Sequence, residues 1–83
     1  MTLSDLPNGV YATVHALHGS EAAVGDATLR RLAELGFIEG EPVQVLRRGP
    51  GGREPLAVQV GDTQFALRLA EARCIQVHRT TAQ

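Results

Sequence analysis

The sequence predicts a mainly β domain: five short strands with one short helix inserted after the first, curled into a small closed or nearly closed barrel. Three observations predict it. First, Leu56–Val60 and Thr63–Leu69 alternate with period two about Gly61-Asp62, and a two-residue turn there pairs Val60 with Thr63, Val58 with Phe65 and Leu56 with Leu67. Second, Leu29, Leu32, Ala33 and Leu35 recur at helical spacing between Asp26 and Gly36. Third, Gly and Pro punctuate the rest at short intervals, which leaves room for strands and little else.

Taken in order, Leu6-Pro7-Asn8-Gly9 reads as an opening turn. Val10–Leu17 follows as a strand, with Ala12, Val14 and Ala16 on one face and Tyr11, Thr13 and His15 on the other. A break runs from Gly19 to Gly25, and Asp26 is placed to cap the helix because its carboxylate accepts from free backbone N–H groups. The helix spans about ten residues, too few to stand without tertiary packing. Gly36 supplies the left-handed residue that ends it, so Phe37 packs back on Leu32. Gly40 and Pro42 bracket a turn into the strand Pro42–Arg47. Gly49–Arg53, with three glycines, reads as a mobile exposed loop. After the hairpin, Ala70–Arg73 is a short turn and Cys74–His78 a last strand with Ile75 and Val77 inward; Thr80–Gln83 is a frayed tail. An open sheet this small would expose pairing edges, which favours closure.

Eighty-three residues make a single domain, 1–83, with an ordered core over about 3–78. The apolar fraction of 43% supports a packed interior and excludes a disordered chain. Eight cations against nine acids leave a net charge of −1, against the basic surface that nucleic-acid phosphates require. All eight cations are arginine, so a Schiff-base or general-base lysine is excluded. One cysteine makes no internal disulfide, no signal peptide opens the chain, and no apolar run reaches the ~18 residues of a membrane span. A cytoplasmic protein without direct membrane insertion is expected.

Residues that carry chemistry elsewhere are present but not assembled. His15 and His18 show a metal-like spacing, yet residues three apart on a strand face opposite ways. They remain weak metal candidates, needing His18 to leave the strand or a second chain to complete a shell. Cys74 has Arg73 beside it but no partner in sequence, and reads as a packed small hydrophobe rather than a nucleophile. Gly49-Pro50-Gly51-Gly52 lacks the lysine of a phosphate loop. No catalytic constellation and no cofactor are expected. Protein binding is the remaining chemistry. Arg30, Arg31, Arg47, Arg48 and Arg53 are expected to form a polar rim around a docking surface, with Leu29, Leu32, Leu35 and Phe37 as its apolar part. Gly36, Gly40 and Gly61 are expected at structural turns.

Leu3-Ser4-Asp5-Leu6, Gly9, Arg31-Leu32-Ala33-Glu34-Leu35-Gly36-Phe37-Ile38-Glu39-Gly40 and Val43-Gln44-Val45-Leu46-Arg47-Arg48 with Pro50 form an ordered set. Pro55-Leu56, Val58, Val60-Gly61, Ala66-Leu67-Arg68, Ala72 and Ile75-Gln76-Val77 continue it. Together they resemble the ferrous-iron transport protein A (FeoA) family across roughly residues 3–78. The resemblance implies an SH3-like barrel with a helix after the first strand. It also implies an accessory role in ferrous-iron uptake beside FeoB, a membrane Fe(II) transporter with a cytoplasmic G domain. It supplies no catalytic residues.

The leading expectation is therefore a non-enzymatic accessory protein, monomer or weak dimer, that docks on the cytoplasmic part of a FeoB-type transporter. The alternative is a regulatory small-barrel module, related to the C-terminal domain of metal-dependent repressors, that binds peptide or nucleic acid. A repressor is disfavoured because no winged-helix or metal-binding segment precedes the barrel pattern. A third reading is a metal-buffering protein acting through His15 and His18.

Overall fold

The computed structural model describes residues 1–18 and 25–79. Its strands are β1 (Ala12–Leu17), β2 (Pro42–Arg48), β3 (Leu56–Val60), β4 (Thr63–Leu67) and β5 (Ile75–Arg79). Its helices are α1 (Asp26–Leu35) and the single turn α2 (Leu69–Ala72), with 3₁₀ turns at Leu3–Asp5 and Pro50–Gly52. The strands form one antiparallel sheet in the order β4-β3-β2-β1-β5. The expected strand count, helix and helix position all hold. The Gly19–Val24 part of the expected break and the Thr80–Gln83 tail lie outside the described residues.

The hairpin register is the one read from the alternation: Val60 faces Thr63, Val58 faces Phe65 and Leu56 faces Leu67. Leu56, Val58, Val60 and Leu67 all enter the core, and Phe65 packs against it half-buried. A slip of one residue would turn this apolar set outward. The sheet wraps a single cluster that also holds Leu3, Leu6, Val14, Leu32, Phe37, Val43, Val45, Ile75 and Val77. Each large side chain fully removed from water contributes about 1.5–3 kcal/mol, so this cluster carries most of the domain's stability.

Four local expectations need correction. Ala16 is exposed and Leu17 half-buried, the reverse of simple alternation. The cause is a bulge: β1 pairs with β5 at Val14↔Val77 and then at Ala16↔Gln76, so His15 is an extra residue and the strand changes phase. Asp26 is the first helical residue rather than the cap; Gly25 occupies that position without a side-chain bond. Asp26 still sits in the first turn, where a carboxylate favours the positive end of the helix. The fourth strand ends at Leu67 instead of Leu69, and the expected 70–73 turn is α2. Glu71 causes this by reaching back to accept from the Arg68 N–H at 2.8 Å, which starts a helical turn.

α1 ends as expected. Gly36 has φ 120°, and Phe37 N–H donates to the Leu32 carbonyl at 3.1 Å. Gly40 and Gly61 also lie at turns with positive φ. An added Cβ at Gly36 would meet Val60 Cγ1 at an ordinary 3.7 Å, so the constraint there is the backbone angle and not space. Gly36→Val is expected to destabilise by more than about 1 kcal/mol, because a β-branched residue resists positive φ. For a domain of this size that lowers the melting temperature by roughly 4–8 °C. An unchanged melting temperature would show that the turn re-forms without left-handed backbone.

The two ends of the sheet differ. The outer edge of β5 is covered by the N-terminal segment, through a Thr2↔Gln76 bridge and a Val77 N–H to Met1 carbonyl bond of 3.0 Å. Among the described residues no segment pairs with the outer edge of β4. In the two-residue hairpin, Thr63, Phe65 and Leu67 turn their backbone groups to β3, so those of Gln64 and Ala66 face outward.

Candidate functional site

The open β4 edge runs into a cleft of about 570 Å³. Thr28 and Arg31 of α1 form one wall, Ala66 and Arg68 at the end of β4 the other, with Pro55 and Glu71 closing it. Helical spacing explains the α1 wall. Leu32 points into the core, while Thr28 and Arg31, three residues apart on one helix face, line the cleft beside it.

The charges in the cleft are held by α2. Glu71 accepts from the Arg68 backbone N–H through Oε1 and from Arg31 Nη1 through Oε2 at 2.9 Å. Glu54 Oε1 accepts from the next free N–H, that of Leu69, at 2.7 Å. Two carboxylates thus occupy the N-terminal donors of this short turn, and one of them also orients Arg31. The Arg31 side chain is 60% exposed and that of Glu71 15%. The pair therefore contributes about 0–1 kcal/mol to stability and acts mainly to position a guanidinium. The Arg68 guanidinium has no hydrogen-bonding or ionic partner among the described residues. Among the described residues, the cleft accordingly presents an oriented guanidinium, Arg31, and one without a partner, Arg68, beside a strand edge that no segment pairs. That arrangement suits an extended peptide with an acidic side chain.

Apart from Arg48, the residues named from the sequence as a docking surface divide into three groups. Arg31 lines the cleft, and Leu29 and Leu35 lie half-buried against the core. Arg30, Arg47 and Arg53 are exposed but do not line it. Leu32 and Phe37 are fully buried, and this corrects their placement on a docking surface. Both face inward because the bond from Phe37 to Leu32 folds the end of α1 onto the sheet.

Arg48 is committed elsewhere. Its guanidinium donates to Asn8 Oδ1 at 3.2 Å and to the carbonyls of Ser4 at 3.2 Å and Leu6 at 2.7 Å. It ties the N-terminal turn to β2, so Leu3 and Leu6 can plug the core. Arg48→Ala is expected to cost about 2 kcal/mol by leaving partly buried carbonyls without a donor, read as a lower urea midpoint at unchanged slope. A midpoint within error of the parent protein would contradict this role.

His15 and His18 do not share a site. The His15 ring lies 4.4 Å from that of His78, while His18 sits beyond β1 with its backbone N–H on the Cys74 carbonyl. Among the described residues no group of three or more His, Cys, Asp or Glu side chains could hold a metal ion. Cys74 is buried, and its thiol donates to the Ala70 carbonyl at 3.3 Å.

Sequence reasoning missed Arg68, Glu71, Thr28 and Pro55. One signal was available, since Arg68-Leu69-Ala70-Glu71 places a Glu three residues after a possible helix start. The Arg31–Glu71 pair spans 40 residues and had no local signal.

A family model for the FeoA domain matches residues 1–79. Among solved structures, FeoA of Stenotrophomonas maltophilia complexed with zinc is similar at 51% identity and TM-score 0.81, over 93% of this chain and 88% of that one. It is described as an SH3-domain protein and a candidate bacterial ferrous-iron transport activating factor. The FeoA protein of Chlorobium tepidum is similar at 34% identity and TM-score 0.82, over 100% of this chain and 73% of that one. A manganese-dependent transcriptional repressor matches at 20% identity and TM-score 0.77, over 96% of this chain and 41% of that one, which shows a shared fold alone. No curated protein matches the chain. No helix among the described residues is long and apolar enough to cross a membrane.

Proposed function

The chain belongs to the FeoA domain family of iron(II) transport-related SH3-like proteins, and from that premise we propose that it is a non-enzymatic accessory protein for ferrous-iron uptake, docking on the cytoplasmic part of a FeoB-type Fe(II) transporter through the cleft between α1 and β4. The observation that carries this reading is the open β4 edge running into a cleft with an oriented Arg31 and an Arg68 guanidinium that has no partner among the described residues. An extended acidic segment of the transporter's cytoplasmic region would add its backbone to Gln64 and Ala66 and its carboxylate to the two guanidiniums. Leu29, Leu35, Arg30, Arg47 and Arg53 do not line the cleft and are not needed by this docking mode.

Titrating labelled chain with that cytoplasmic region, with and without guanine nucleotide, tests it. Amide shifts are expected at Thr28–Arg31 and Gln64–Glu71. Arg68→Glu is expected to weaken binding roughly tenfold by reversing a cation that has no partner among the described residues, while Arg47→Glu changes it little. Saturating transporter fragment with no shifts at those residues would remove the proposal.

A further inference from the structure

We propose that His15 and His78 together form a two-imidazole site for a divalent transition ion of the nickel, copper and zinc group. The site uses the chain's first and last strands, β1 and β5, which are paired neighbours in the sheet, and shares no residue with the cleft, so it stands independently of the docking proposal.

The backbone brings the pair together. In regular pairing Thr13 faces His78 and Val14 faces Val77. The next residue on β1 should then face Gln76, but the bulge lets both His15 and Ala16 lie against that one position. Both are exposed, so neither turns inward. His15 and His78 both stand on the outward face of the β1–β5 pair, and their ring centroids lie 4.4 Å apart, tilted by 55°. His78 is likewise exposed.

The two imidazoles lie side by side on one paired strand surface, with ring centroids 4.4 Å apart, so both reach one ion in this proposal without any loop having to order. Imidazole nitrogen suits nickel, copper and zinc, whereas magnesium and calcium take oxygen shells. Two protein nitrogens fill half of a tetrahedral shell, and exposure leaves the other positions to water. His18 contributes nothing, since it lies past the end of the strand with no ring contact to the pair.

Zinc titration of the full chain, followed through histidine side-chain NMR, tests the site. The His15 and His78 ring signals are expected to move together along one saturable curve, and the same concentration of magnesium should leave them in place. His15→Gln and His78→Gln should each lower zinc affinity by about tenfold or more, at least the effect of losing an outer-shell partner. His18→Gln should leave it unchanged. A melting curve on each variant separates loss of a ligand from loss of fold. Millimolar zinc that moves neither ring, or parental affinity in both the His15 and His78 variants, would overturn the site.

Discussion

Phe37→Ala is expected to destabilise the domain by about 3–5 kcal/mol, the cost of emptying a fully buried aromatic position. Phe37 is 0% exposed and packs 6.0 Å from Phe65 at an interplanar angle of 47°. Its backbone N–H is also the bond that turns the chain out of α1. Loss of the ring therefore opens a cavity where the helix end, β3 and β4 meet. A domain of this length holds roughly 4–12 kcal/mol in total, so the variant should be substantially unfolded at moderate temperature. Phe37→Leu, which keeps most of the volume, should lose far less. Urea denaturation of the two variants checks both values. Equal, small losses would place Phe37 at the surface, contrary to its burial.

Gly49→Ala is expected to cost about 1–3 kcal/mol, more than any other single methyl added to the Gly49–Arg53 loop. The position has an ordinary backbone angle, φ −74°. Its constraint is space: an added Cβ would come within 2.8 Å of the Glu54 carbonyl carbon and 2.9 Å of Pro55 Cδ. These atoms belong to the returning chain, held by Gly49 N–H bonds to the carbonyls of Arg53 and Pro55, so neither can swing aside. Gly51 and Gly52 present the opposite case, with positive φ and open space around both. Thermal melts of Gly49→Ala and Gly52→Ala separate the two constraints. A Gly49→Ala melting temperature equal to the parent's would mean that the loop can part at no cost.

This loop shows where the sequence stops being legible. Its glycines read alike as flexible punctuation, and only the return of Glu54 and Pro55 against Gly49 distinguishes a packing glycine from two turn glycines. β1 gives a second instance. Its alternation was visible through Val14, but the bulge depends on how β5 lies beside it, and so does the meeting of His15 with His78. The candidate cleft was legible only in part. Arg31 stood out in sequence as one of a dense set of arginines, whereas Arg68 and Glu71 acquire meaning once α2 folds against α1.

Periodicity and turn chemistry are local properties, and by themselves they determined the five strands, the helix, its glycine stop and the β3–β4 register. Each of these rests on residues within about one hairpin or one helix of each other, where a slip exposes an entire apolar face. Tertiary packing decided which arginine is structural and which is oriented, and which histidines meet. Those outcomes depend on groups roughly 40 to 60 positions apart, such as Arg48 with Leu6, Arg31 with Glu71 and His15 with His78. Contacts of that range carry no repeating pattern along the chain, because their geometry exists only after the sheet has closed around its core.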